Sequence, residues 1–230
     1  KNSVGEGCCH TVQQPLRHAI MDELICHLPY ALFAVVGSLI LMSLLFLTAS
    51  TSGSMMYQKW QGLFHTLHFL HIVFASTGAV LAYRKHKGGL LGSVIVGALV
   101  PAIFCTLSDA VIPYFGGRMC GLVMHFHWCF YAHLSTVIPF LAMGIINGLV
   151  MSWHGADKQT AYVIGSHAVH IFISALASTV YLISHGFSHW QQHLGFVFSY
   201  LLVAVLVPCT LADVVVPMWV PLRTSAPHTK

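Results

Sequence analysis

The sequence predicts an all-α integral membrane protein: six transmembrane helices arranged as two inverted three-helix repeats, with both termini cytoplasmic. Three observations carry this reading: scarce charge, six long apolar stretches, and an internal duplication built on histidine and aspartate. Only 7% of the 230 residues are charged and 57% are hydrophobic, against about 25% charged in an ordinary soluble domain. Ten Lys and Arg with six Asp and Glu cannot cover a water-facing globule of 25.2 kDa, and the mean hydropathy of +0.76 agrees. Lipid as solvent explains the missing charge. It does not explain 17 histidines, and these pose the functional question.

A helix needs about 20 mostly apolar residues to cross a bilayer core. The stretches 24–48, 64–83, 89–113, 126–152, 160–184 and 193–219 have that length. The chain then divides into an N-terminal tail (1–20), a first three-helix repeat (21–118), a second, inverted one (119–220) and a C-terminal tail (221–230). Arg17, Asp22 and Glu23 precede the first span and no early small-residue cleavage pattern follows it, so it reads as a span and not as a removed signal peptide. Lys and Arg set the orientation. With the N-terminus inside, Lys1, Arg17, Arg84, Lys85, Lys87, Lys158, Arg223 and Lys230 fall on the cytoplasmic side, and only Lys59 and Arg118 fall outside. The expected location is a bacterial inner membrane or an equivalent plasma membrane.

No P-loop, Gly-rich dinucleotide turn or Ser-nucleophile elbow occurs. The net charge of +4 is modest and scattered, so it does not argue for nucleic acid, and no nucleic-acid partner is expected. The expected partners are the lipid bilayer and metal ions, with a homo-oligomer of the chain as a further option. The seven cysteines (Cys8, Cys9, Cys26, Cys105, Cys120, Cys129 and Cys209) are odd in number and at no disulfide-like spacing. Cys8-Cys9-His10 can catch a soft metal, but adjacent thiols on a short cytoplasmic tail are the simpler reading.

The duplication is read from three collinear matches. Cys105-Thr-Leu-Ser-Asp109-Ala-Val-Ile-Pro113 in the third span matches Cys209-Thr-Leu-Ala-Asp213-Val-Val-Val-Pro217 in the sixth, at six of nine positions. His68-Phe-Leu-His71-Ile in the second matches His167-Ala-Val-His170-Ile in the fifth, and His27-Leu28 in the first matches His133-Leu134 in the fourth. The offsets are 106, 99 and 104 residues in span order. A three-helix unit has an odd number of crossings, so its second copy enters from the opposite side. That is the inverted-repeat plan of many transporters. The plan resembles the small lysine-exporter-like transporters and the thiol–disulfide carriers in architecture alone, since none of their signature motifs occurs here.

Tracking the direction of each span sorts the intramembrane polar residues into two sets. An outer set holds His68, His71, Asp109 and His133; an inner set holds His167, His170, Asp213 and His27. Residues i and i+3 share a helix face, so each His-x-x-His can present two imidazoles to one ion. Three histidines and a carboxylate suit zinc or iron first, with nickel, cobalt and copper compatible. A single buried histidine is usually an interhelical hydrogen-bonding residue. The case for a site rests on Asp109 and Asp213, the only acids inside the spans, with no Lys or Arg there to pair with them. An ionised carboxylate in hydrocarbon is costly and rarely left alone. Cys105 and Cys209 lie one turn before the aspartates and read as packed thiols in preference to ligands.

Among the remaining histidines, His65 extends the outer set, while His125, His127, His185, His189 and His193 crowd the outer mouth as interfacial polar residues. Trp60, Trp128, Trp153, Trp190 and Trp219 sit near span ends, as interfacial aromatics do. The leading function is divalent transition-metal transport. A two-haem b-type cytochrome comes second, with His133 and His27 each pairing with a histidine of the opposite repeat. A membrane metalloenzyme and a metal-free proton channel or sensor follow. The chain is read as a binding and transport protein more readily than as an enzyme.

Overall fold

The computed structural model describes residues 16–48, 53–126, 128–154, 156–187, 190–217 and 219–220. Cys8, Cys9, His10, His127, His189 and His228 lie outside the described residues. The described ones form helices α1 (Leu16–Thr48), α2 (Gly53–Lys85), α3 (Leu90–Thr106), α4 (Ile112–Met119), α5 (Cys129–Ala132), α6 (Leu134–Ser152), α7 (Ala156–Ser184) and α8 (Leu194–Thr210), with no strand among them. Six helical stretches are long and apolar enough to cross a membrane: Ile20–Leu45, Gln58–Lys85, Leu90–Met119, Leu134–Ser152, Gly165–Ser184 and Leu194–Val215. Large apolar side chains such as Phe33, Leu91 and Ile103 point outward from them, as a lipid solvent requires.

Two spans differ from the sequence expectation. The second helix starts at Gly53, eleven residues before the apolar stretch at 64–83, because its polar first turns (Gln58, Lys59, Gln61) still form helix. Hydropathy detects burial in lipid, not the helix itself. The fourth expected span, 126–152, is instead the one-turn α5 and then α6, separated at His133, whose φ of −127° and ψ of 34° are not helical. Apolar composition alone does not reveal such a break. Cys26 is disulfide-bonded, which departs from the expectation of cysteines at no disulfide-like spacing. Cys105, Cys120, Cys129 and Cys209 are free. Trp60 is buried against the bundle near the start of the second span, whereas Trp128 and Trp153 are exposed.

The duplicated motif has the same backbone in both copies. Leu107–Val111 and Leu211–Val215 each form one turn of π-helix, interrupting the third and sixth spans. Both turns contain the aspartate, and both are followed by a proline four residues after it, Pro113 and Pro217. A proline in a helix lacks the N–H that would bond the carbonyl four residues back, and its ring crowds that carbonyl. The carbonyls concerned are those of Asp109 and Asp213. A π-turn is a common answer to that conflict and often marks functional positions. The same effect is used differently at Pro101: the freed carbonyl of Gly97 accepts the Ser76 hydroxyl at 2.8 Å, tying α3 to α2.

The most apolar windows of α2 and α7 are 61% and 72% buried, against 22–39% for the other four spans. These two helices are therefore the axis of the bundle. α2 packs on α3, α6 and α7, and α7 packs on α1, α2 and α8. Small residues let the backbones approach, as interfaces in lipid require. A Cβ at Gly144 of α6 would lie 2.6 Å from the Val73 carbonyl oxygen, and one at Gly148 would lie 2.9 Å from that of Thr77. Thr77 also donates its hydroxyl to the Gly144 carbonyl at 3.1 Å. Because backbone cannot yield as a flexible side chain can, Gly144→Val or Gly148→Val is expected to destabilise the bundle by about 1–3 kcal/mol. Denaturant titration in detergent, followed by circular dichroism, measures it; an unchanged midpoint in both variants would contradict the close α2–α6 contact.

Candidate metal centre

The site is built where α2 and α7 meet the two π-turns. On α2, His68 and His71 share a face one turn apart, and both aim Nδ1 at the same oxygen of Asp109. The distances to Asp109 Oδ2 are 2.9 Å and 2.6 Å. On α7, His167 and His170 do the same to Asp213 Oδ2, at 3.0 Å and 2.9 Å. The correspondence extends to individual atoms: Nδ1 and Oδ2 are used four times. His68, His71, Asp109, His170 and Asp213 are all buried.

The two sets are not apart. His71 Nε2 and His170 Nε2 lie 2.8 Å from one another, and their rings meet edge to face at 4.5 Å between centroids. His71 and His170 occupy corresponding positions of the duplicated segment, offset by 99 residues. The result is one continuous polar chain: His68, Asp109, His71, His170, Asp213, His167. At its far end His27 packs its ring on His167 at 4.3 Å. His133 lies against His65 at 4.8 Å, one turn before His68 on α2.

Elementary chemistry makes the centre of this chain unusual. A carboxylate only accepts hydrogen bonds, so each Nδ1 that reaches it carries the proton. A neutral imidazole has one proton, so Nε2 of His71 and of His170 then present bare lone pairs. Two lone pairs facing at 2.8 Å repel unless a proton or a metal ion lies between them. Cys209 Sγ is 3.8 Å from His71 Nε2, so the centre offers two nitrogens and a sulfur. The Nδ1 nitrogens on carboxylates form the outer arrangement that orients histidine ligands toward a metal and raises their basicity. Around tetrahedral zinc two nitrogens lie about 3.3 Å apart. The present spacing would have to open by about half an ångström, a rotamer-scale adjustment. The donor set fits a borderline or soft divalent ion.

Other groups complete the neighbourhood. Asp109 Oδ1 accepts the hydroxyls of Ser108 at 2.7 Å and Ser174 at 2.9 Å. Ser174 also accepts the Cys209 thiol at 3.7 Å. Asp213 Oδ1 and His167 Nε2 are buried with no partner. Sequence reasoning missed Ser108 and Ser174, although each is signalled: Ser108 adjoins Asp109, and Ser174 follows His170 by one turn on the same face. It also read Cys209 and Cys105 as equivalent. Cys105 packs among Phe69, Ile72, Ala75, Val137 and Leu141, whereas Cys209 reaches the histidine pair.

The outlying histidines have local roles. His185 links Nδ1 to the Tyr181 carbonyl at 2.8 Å and Nε2 to the His125 carbonyl at 3.2 Å, fastening the end of α7 to the 120s segment. His65 and His154 bond carbonyls four residues back, at 2.9 Å and 3.1 Å. Outside the spans, burial and the neighbouring Lys85 lower the pKa of His86, so the basic character of that loop comes from Arg84, Lys85 and Lys87.

Asp109 accepts from four side chains and Asp213 from two, so their losses are unequal. Breaking a buried pair by removing one partner costs about 3–5 kcal/mol, and Asp109→Ala is expected to exceed Asp213→Ala by about 1–3 kcal/mol for the hydroxyl bonds it also loses. Unfolding of the metal-free variants in detergent checks this; the reverse order would contradict the hydrogen-bond assignment. Comparison with protein families, with curated proteins and with solved structures finds no match for this chain.

Proposed function

We propose that this protein binds a divalent transition-metal ion between its two halves and carries it across the membrane. The observation that carries this reading is the opposed pair of Nε2 atoms 2.8 Å apart, each on an imidazole whose other nitrogen is held by a buried aspartate. Charge decides in favour of a divalent ion. Asp109 and Asp213 bring two buried negative charges, whose ion-pair partners among the described residues are histidines. Unpaired buried charge is costly, and one dication offsets most of the charge of the two carboxylates and a Cys209 thiolate at a single point. His71, His170 and Cys209 are its direct ligands, leaving a fourth position open for exchange. Zinc and iron fit the donors best, with cobalt, nickel and copper compatible.

Transport is supported by where the ion would sit. The two halves are proposed to be related by a two-fold axis in the membrane plane that passes between His71 and His170. A residue that touches its own counterpart lies on such an axis. Broken helices at the repeat interface, here the two π-turns, are the usual surroundings of a carrier's binding site. Polar groups continue in both directions, through His68 toward His65 and His133, and through His167 to His27. Together the six histidines and two aspartates of the outer and inner sets are the proposed path.

A bis-histidine haem is less well supported. Its iron would need the two Nε2 atoms about 4 Å apart, with a porphyrin between helices that here meet through small side chains. A metal-free proton relay is favoured by one observation, the unbroken hydrogen-bonded chain, since His and Asp chains of this kind conduct protons.

Purified protein is expected to contain zinc or iron and to bind added Co2+, with near-ultraviolet thiolate-to-cobalt absorption that Cys209→Ser removes. In proteoliposomes, metal flux should disappear in Asp109→Ala with Asp213→Ala. No bound metal together with pH-driven proton flux would replace this proposal with the proton relay, and a Soret band would replace it with the haem.

A further inference from the structure

The two halves match in their histidines and aspartates but not in the groups that saturate the aspartates. Asp109 is fully engaged. Its Oδ2 accepts from His68 and His71, and its Oδ1 accepts from Ser108 and Ser174. At the offsets of the duplication, the counterpart of Ser108 is Ala212 and that of Ser174 is Ala75. Neither carries a donor. On α2 a Cβ at Gly78 would lie 3.3 Å from Asp213 Oδ1, so the α2 face that holds Ala75 borders Asp213, as the α7 face that holds Ser174 borders Asp109. Asp213 is 7% exposed, and its Oδ1 has no partner.

A second unpartnered atom lies on the neighbouring histidine. His167 Nε2 is buried without a hydrogen bond, while its Nδ1 is fixed on Asp213 Oδ2 at 3.0 Å. The ligand atoms of His167, His170 and Asp213 all lie within 4.8 Å of one another. An unmet buried acceptor is costly, and Asp213 Oδ1 is a carboxylate oxygen. A cation held by this group satisfies it.

We propose that His167, His170 and Asp213 form a second divalent-metal site, in which Asp213 Oδ1 is a ligand, and that Asp109 is a fixed hydrogen-bond acceptor that never ligates. This rests on the metal reading of the central pair. It divides the labour between the two sets: the Asp109 half is the rigid one, and the Asp213 half is where the ion is held on its way to or from the centre. His170 belongs to both donor groups, so an ion passing between them exchanges the other ligands while that residue stays in reach. His27 stands at the outer end of the second site, its ring on His167.

Titration of the metal-free full chain in detergent with Zn2+ or Co2+ tests this, reading stoichiometry and Kd. Wild type is expected to take up two ions per chain. Ala75→Ser with Ala212→Ser gives Asp213 the two hydroxyls that engage Asp109, and should remove one ion while Cys209→Ser still removes the other. Asp213→Asn should also lose one ion. Asp109→Asn should keep two, with the central one weakened about 10–100-fold, as for loss of an outer-shell partner. Should the double serine variant not fold, the Asp213→Asn and Asp109→Asn pair decides. Two ions retained in Asp213→Asn, or one lost in Asp109→Asn, overturns the second site while leaving the central one standing. No ion bound by wild type overturns both.

Discussion

Two carboxylates buried among apolar helices, paired among the described residues with histidines and with no Lys or Arg, constrain everything else in this molecule. Each is held by a pair of imidazole N–H groups on one helix face, and that choice of donor has a consequence at the opposite side of the ring. Histidine that gives Nδ1–H to an acid turns a lone pair outward from Nε2. Two such lone pairs, from His71 and His170, meet at 2.8 Å. A lysine or arginine pairing would have closed the charge balance at once. Histidine leaves it open, with the remaining positive charge to be supplied by something that can come and go.

The backbone is arranged to serve those carboxylates. Proline four residues after each aspartate removes the hydrogen bond to the aspartate's own carbonyl, and the helix absorbs the fault as a π-turn at Leu107–Val111 and again at Leu211–Val215. The defect lies where the acids project, between the two most buried helices. Small residues on the facing helices let these come close enough for hydrogen bonds between side chains to span the gap, and Ser76, Thr77 and Ser178 bond backbone carbonyls of neighbouring elements as they do so. Polar side chains that bond backbone carbonyls tie helices together in lipid. Asp213 Oδ1 and His167 Nε2, by contrast, are buried without a hydrogen bond.

The two His-x-x-His and Cys-Thr-Leu-x-Asp segments match in sequence and in backbone, and they differ at a few positions. Serine at 108 and 174 against alanine at 212 and 75 is a change of single oxygen atoms. It leaves the fold of each motif copy the same, yet one acid is saturated and the other is not. Cys209 at the centre and Cys105 in an apolar cluster are a second case, where identical residues in the matched motif meet different surroundings.

The sequence by itself made legible six helices long and apolar enough to cross a membrane and the histidines and aspartates that the structure brings together. Charge content and stretches of about 20 apolar residues are local quantities that lipid selects directly, and Asp109, Asp213 and the His-x-x-His pairs are visible because acids and repeated histidines are rare in such stretches. Helix ends were less legible: α2 continues in helix through Gln58 and Lys59, and the chain breaks at His133, because helix formation and hydropathy are different properties. What only the tertiary structure decided was how the two sets stand to one another. Assigning depth by span direction separated them, one near each face. The packing of α2 on α7 brings His71 onto His170, and the sets become one chain. That contact arises from the pairwise fit of two surfaces and has no signature in either helix alone.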